Sequence, residues 1–360
     1  MSPQEITNLI LPLQRIRLLN FPSQLLGYSV VRKKSLPTQK LPRAPGVMTS
    51  ARASHSSQDG VAILPLFACL HWCVDPYKCM TGIWLVPVSE IANGCVKWLV
   101  QRARPGWSDP RVQLLAWSEE FSFPSSHAQM AAAVAHFFVR SSSHPDALTT
   151  TPAWPAYAFV AAVAYSRVHV GVHYPSDVAV GTAWGIATAE AYCRLLPRLL
   201  ALKTSSLSAR LALLGSPAMV AALALYVCYQ RVRASFGTEG AAKLRAWMAN
   251  ACRDKYAKRE LDPIGTPLGL YTGMLGVLTG LAVGYSLVDR MPLPLPTSTR
   301  NAMLRGIIGN VGLISLFEAI AAATPRRPLP LYTTLRFLKY AMVPVYILLW
   351  APAAFERAGI

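Results

Sequence analysis

The stretch Ser166–Asp177, SRVHVGVHYPSD, gathers groups that could do chemistry: Arg167, His169, His173 four residues on, and Asp177 four beyond that. Histidine is a nucleophile when one ring nitrogen is unprotonated and aimed. A carboxylate on the other nitrogen fixes that tautomer and steadies the developing positive charge. Asp177 is spaced to do this for His173, with Pro175 restricting the turn between them. Arg167 brings a planar, permanently charged donor fork suited to phosphate. Two blander readings compete. The stretch could be a polar connection between helices, or His169, His173 and Asp177 at i+4 spacing could line one helix face and bind zinc.

Two upstream clusters bear on that choice. In KWLVQRARP, Lys97 and Arg104 lie seven residues apart, two turns of a continuous helix, and so share a face from which Arg102 is rotated well away. Alone, these read as juxtamembrane cations reaching headgroups. Further on, Pro124-Ser125-Ser126-His127 precedes a small-residue apolar helix. Ser125 is a natural N-cap, and the free N–H groups from about Ser126 and His127 form an anion cradle at a positive dipole end. His127 sits at its rim, placed to give or take a proton. The groups accompanying His173 are therefore Lys, Arg and Ser. Such a set attracts an anion and repels a metal, so neither metal nor other cofactor is expected.

The elements that must position these clusters are membrane helices. Of 360 residues, 53% are hydrophobic and only 14% charged, and several apolar runs approach the ~20 residues that cross a bilayer. The runs are Val61–Val74, Cys79–Val96, the one after His127, Ala153–Tyr165, Val178–Tyr192, Ala209–Tyr229, Thr266–Val288, Met303–Ala323 and roughly Leu331–Ala354. The expectation is an all-α polytopic transmembrane bundle of about eight or nine spans. Asp75–Lys78 reads as a tight turn between the first two spans, and Ser166–Asp177 as a short connection. Lys97/Arg104 at the exit of the second span, Ser125–His127 at the entry of the third and Arg167–Asp177 between fourth and fifth all fall on one side of the membrane. Three cations, a helix N-terminus and two histidines on one face describe an oxyanion site with its own nucleophile and acid.

Residues 1–58 carry eight Arg/Lys against one acid, Glu5. They read as a disordered basic tail or an organellar transit peptide, and Met48 could be the true start. Residues 59–200 form the core holding every cluster, and 201–360 add helices with a basic loop at 230–264. The net charge of +18 resides in tail and loops, where anionic headgroups are the expected partner and nucleic acid is not. The seven Cys include no CxxC pair and read as small packing residues. Glu90, inside the second span, has no assigned role.

Lys97-x6-Arg104-Pro105, Pro124-Ser125-Ser126-His127 and Ser166-Arg167-x5-His173-x3-Asp177 together resemble the three-part signature of the type 2 phosphatidic acid phosphatase superfamily. Order and spacing match across about eighty residues. One position departs: Ser126 stands where the signature usually has Gly. The sphingoid-base-phosphate phosphatases similarly carry Ser or Thr there. Asp75-Pro76, Glu120-Phe121-Ser122 and the extended C-terminal spans also look like that branch.

The resemblance implies metal-independent phosphomonoester or diphosphate hydrolysis. Lys97, Arg104 and Arg167 would bind phosphoryl oxygens with Ser125 and Ser126. His173 would attack phosphorus to give a phosphohistidine, oriented by Asp177. His127 would protonate the leaving alcohol and then activate water. His169 has no match in the signature and reads as structural. The expected substrate is sphingosine 1-phosphate or another long-chain-base phosphate. Alternatives are phosphatidate, a polyprenyl or dolichyl diphosphate, or a non-catalytic lipid-phosphate binder or transporter. The branch implies an endoplasmic reticulum membrane and a lumenal site, or a plastid membrane if the tail is a transit peptide. The positive-inside rule points the other way, because the same span count puts the basic tail and loop on the catalytic side.

Overall fold

The computed structural model describes residues 10–12, 63–142, 152–201, 206–236, 238–253, 256, 259–288, 294–325 and 328–360. Among these every regular element is helical. The expectations for the tail, Met48 included, lie outside the described residues except at 10–12. There Ile10 is fully buried against Val112, Ala128, Val168, Tyr174 and Val178.

Helix α1 (Ile63–Cys73) ends before Asp75, whose side chain caps α2 (Pro76–Gly82) by accepting from Lys78 N at 2.9 Å. The segment expected as a turn is thus the first turn of a helix, with Pro76 at a position where no backbone donor is lost. After a break at Ile83–Trp84 comes α3 (Leu85–Val100), which stops at Gln101 in the left-handed region, φ 51°. The chain then runs extended into the one-turn α4 (Pro105–Ser108). Lys97 therefore ends a helix that does not reach Arg104, and the shared-face argument for that pair, with Arg102 excluded, fails.

A loop over 109–125 leads to α5 (Ser126–Ser142), then α6 (Trp154–His169) and α7 (Pro175–Ala201). Arg167 and His169 close α6, so only residues 170–174 connect the two helices. His169 and Asp177 belong to different helices, which removes the single-face geometry for zinc. α7 packs extensively on α5. Side chains at Gly181 and Gly185 would collide with the carbonyls of Ser125 and Gln129, at 2.5 and 2.2 Å. The absence of Cβ atoms there lets the α7 N-terminus close on the start of α5, where Ser125 N donates to Asp177 O at 3.0 Å.

The second half comprises α8 (Leu207–Ser235), α9 (Thr238–Ala251), α10 (Gly265–Leu287), α11 (Thr299–Ala323) and α12 (Leu329–Val345). A π-helical turn, Tyr346–Trp350, continues α12 into α13 (Ala351–Arg357). α8 and α10 dock on α3, where Tyr271 meets Trp98 edge-on at 4.9 Å. The expected basic loop holds the amphipathic α9, whose Trp247 packs on Trp107 and Phe121 and whose Asn250 Nδ2 donates to Trp107 O at 2.9 Å.

Five stretches are long and apolar enough to cross a membrane among the described residues: 76–108, which joins α2, α3 and α4, then 207–235, 265–287, 299–323 and 329–357. The protein is a multi-pass membrane protein. The remaining expected crossings do not meet that measure. α5 and α6 have 17 and 16 residues, and α7 is long but carries Thr, Glu and Arg along its length.

Candidate active site

The three clusters meet at the ends of α3, α5, α6 and α7. Lys97, in the last turn of α3, lies 3.3 Å from the Ser126 hydroxyl at the start of α5. Arg104, held by the turn into α4, places Nη1 3.2 Å from His173 Nε2 and 2.8 Å from Val172 O. Its other nitrogens donate to Glu120 O at 2.6 Å and Phe121 O at 3.3 Å, which pins the 109–125 loop. Arg167 is buried, with Nε donating to Ser166 Oγ at 3.0 Å. Ser125 stands just before α5, but its buried hydroxyl makes no hydrogen bond. The expected side-chain cap is therefore absent, although the Ser125 carbonyl accepts the first helical bond, from Gln129 N at 3.0 Å.

His173 and Asp177 are both buried. His173 Nδ1 faces Asp177 Oδ2 at 3.5 Å. A guanidinium has only donors, so the Arg104 contact makes Nε2 the acceptor and Nδ1 the proton carrier. That tautomer leaves a lone pair on the nitrogen turned toward the cations. Burial first, and then the charge of Arg104, lowers this imidazole to about 3, against the opposite pull of Asp177. The nitrogen thus stays unprotonated at neutral pH. His127, second residue of α5, has an exposed side chain, yet desolvation and then the charges of Arg167, His173, Lys97 and Arg104 hold its imidazole well below the usual value, so its protonated form needs a bound phosphate dianion to offset those cations. His169 instead stacks on Tyr165, centroids 5.7 Å apart.

Three side chains outside the expected set belong to this cluster. Glu120 forms an ion pair with Lys97. Burial works against its ionisation, but Lys97, with Arg104 and His173 beyond, holds its carboxyl below the usual carboxylate range. Ser122 donates to Asp177 Oδ2, and Arg102 pairs with Oδ1. The acid pair Glu119-Glu120 in an acid-poor chain was a readable signal, whereas Arg102 was hidden by the assumption of a continuous helix. Glu90 stands near Glu120 and Lys97.

A basic cluster around a buried, unprotonated imidazole has the chemistry to hold a phosphoryl group and attack it. Residues 79–200 match the PAP2 superfamily, and residues 272–360 match the transmembrane extension of PAP2 superfamily phosphatases. Decaprenylphosphoryl-5-phosphoribose phosphatase of Mycobacterium tuberculosis is 33% identical over 147 residues, 39% of this chain and 76% of that protein. The chain belongs to the PAP2 superfamily. Probable lipid phosphate phosphatase beta of Arabidopsis thaliana is 30% identical over 129 residues, 29% of this chain and 58% of that protein. No solved structure matches. This PAP2 protein is a phosphoric monoester hydrolase, and its phosphatase region spans all three clusters.

Proposed function

We propose that the enzyme hydrolyses a long-chain-base phosphate such as sphingosine 1-phosphate through a phosphohistidine on His173. The observation that carries the chemistry is the imidazole held between Asp177 at Nδ1 and Arg104 at Nε2. Lys97, Arg104 and Arg167, with Ser125, Ser126 and the N–H groups opening α5, bind the phosphoryl oxygens. Their fixed charge stabilises the phosphoryl group in flight. The Nε2 lone pair forms the N–P bond as the P–O bond to the lipid alcohol breaks. The electron pair of that bond goes to the leaving oxygen, which takes a proton from His127. Neutral His127 then removes a proton from water as the water oxygen attacks phosphorus. Orthophosphate leaves and His173 is restored. No step calls for a metal ion.

The substrate assignment rests on Ser126 in the second cluster, on Glu120-Phe121-Ser122 and on the C-terminal extension. The name of the mycobacterial relative, a decaprenylphosphoryl-5-phosphoribose phosphatase, favours a second reading, a polyprenyl-linked phosphomonoester. The endoplasmic reticulum membrane goes with the first reading. Purified full-length protein in detergent, assayed at matched surface concentration, tests the choice. Faster hydrolysis of long-chain-base phosphates than of phosphatidate, dolichyl diphosphate or a polyprenylphosphoryl sugar phosphate is expected, undiminished in excess EDTA. A clear preference for another member of the panel overturns the assignment but leaves the chemistry, and loss on chelation restored by zinc or magnesium overturns the chemistry.

A further inference from the structure

Asp177 has more partners than a carboxylate that merely faces a histidine. Its Oδ2 accepts from Tyr174 N at 2.9 Å and from the Ser122 hydroxyl, and it lies 3.5 Å from His173 Nδ1. Its Oδ1 is paired with Arg102 Nη1. The carboxylate therefore stands between Arg102 and His173, one oxygen turned to each.

Arg102 is itself fixed from three further directions. Nη1 also donates to Ser176 Oγ at 3.0 Å, the guanidinium lies 4.3 Å over the Tyr174 ring, and its carbonyl accepts from Ser122 N at 2.8 Å. One residue thus ties the segment leaving α3, the loop ahead of α5 and the first turn of α7 to a single carboxylate. The flat guanidinium suits this place, because it stacks on the ring while presenting an edge to Oδ1 and to Ser176. An ammonium could supply the charge but not the plane.

We propose that Arg102 is a positioning residue for phosphoryl transfer: it holds the Asp177 carboxylate so that Oδ2 faces the Nδ1 proton of His173. This rests on the reading of His173 as nucleophile. Without Arg102 the carboxylate is held only on the Oδ2 side, by Tyr174 N and Ser122, so its plane is less fixed, the imidazole is less well oriented, and the Nε2 lone pair is aimed less closely at phosphorus. Phosphate binding is untouched, since the guanidinium engages the far oxygen of Asp177 from the imidazole.

The test is a double-mutant cycle on full-length protein in detergent, using an activated aryl phosphate so that slow variants remain measurable. Arg102→Met should lower kcat roughly 10–100-fold, the range for groups that orient a reacting side chain, with KM and the vanadate inhibition constant within about twofold. In an Asp177→Asn background the same substitution should cost less than about twofold, because the group through which it acts is gone. Arg102→Lys should recover part of kcat, and if Arg102→Met does not fold, Arg102→Lys in both backgrounds carries the comparison. Weakened vanadate binding would make Arg102 a phosphate ligand, and an undiminished loss in the Asp177→Asn background would make it a general structural support. Either result, or no effect at all, overturns the proposal. His173→Ala run in parallel separates the two levels. Retained acid-labile phosphoenzyme sinks the nucleophile and Arg102 together, whereas its loss beside an additive cycle sinks Arg102 alone.

Discussion

Buried cations occur in both halves of this molecule, each held by local partners, and differ in whether they gather around a common point. In the second half, Arg305 is buried with its donors on three carbonyls: Pro294 at 2.7 Å, Ile360 at 3.1 Å and Trp72 at 3.3 Å. Lys339 sits 3.5 Å over the Phe317 ring. Those charges are quenched one by one by backbone dipoles and aromatic faces. In the first half, Lys97, Arg104 and Arg167 are equally buried, but they converge with two histidines and a helix N-terminus on one small region. Burial of a cation is therefore not the mark of the site. Convergence of several around one imidazole is, because only that arrangement can stabilise charge on a shared ligand.

The sharpest way to break this contrast is to remove one group from each half. His173→Ala should lower turnover on the order of 10⁴–10⁶-fold and abolish acid-labile phosphoenzyme, with thermal unfolding little changed. Arg305→Met should do the reverse. It strands buried carbonyls at about 1–3 kcal/mol each, so unfolding temperature should drop while kcat of the folded fraction stays within about twofold. A phosphoenzyme in His173→Ala, or a large kcat loss in Arg305→Met, would dissolve the distinction.

Within the site, the two histidines should differ by leaving group. A lipid alkoxide needs a proton to depart, and a phenol of low pKa needs it far less. His127→Ala should lose about 10²–10⁴-fold on the lipid phosphate and much less in the first turnover of an aryl phosphate. A burst followed by slow turnover should appear, since water activation is also impaired. Equal losses on both substrates, with no burst, would reduce His127 to a phosphate ligand.

Glu120 tests whether convergence on one ligand is unopposed. Its carboxylate holds the Lys97 ammonium, so it competes with substrate phosphate for the same cation. Glu120→Gln should tighten vanadate inhibition roughly fivefold, about 1 kcal/mol of charge competition in a partly open site. Weaker inhibition would mean that Glu120 holds Lys97 in place for substrate.

Much of this architecture was legible in the chain. The run Thr266–Val288 became Gly265–Leu287, and Met303–Ala323 became Thr299–Ala323, because long apolar stretches leave a helix no alternative in lipid. The three clusters meet, as span parity had it, although α5, α6 and α7, which that argument counted as crossings, do not measure as spans. What escaped was local. α3 ends at Gln101, a non-glycine residue in a left-handed conformation, and neither Gly nor Pro announces it before Pro105. Helical periodicity therefore carried the reading past its true end and turned Arg102 away from the residue it binds. The docking of α9 on α4 and the 109–125 loop rests on pairs such as Trp107 with Trp247 at 5.6 Å. Such long-range packing has no local signature.

The smallest expected effect is a pH dependence that should be missing. His173 is held neutral, lowered to about 3 by burial and then by Arg104. A histidine lowered in the folded state keeps its unprotonated form as pH falls through its ordinary value near 6.5, so the nucleophile should not titrate between pH 8 and about 4. The substrate does titrate, because a phosphomonoester takes up a proton near pH ~6. Phosphoenzyme formation in single turnovers should thus show an acid limb that belongs to the substrate and moves when an ester of lower second pKa replaces it. Arg104→Met removes the larger of the two cationic influences that, with burial, lower the imidazole, and leaves that of Lys97. Although it also weakens phosphate binding, its normalised profile should acquire an additional acid limb at higher pH than the wild type. A wild-type limb fixed near 6.5 whatever the ester would mean that the imidazole itself titrates, and that Arg104 serves only as a phosphate ligand.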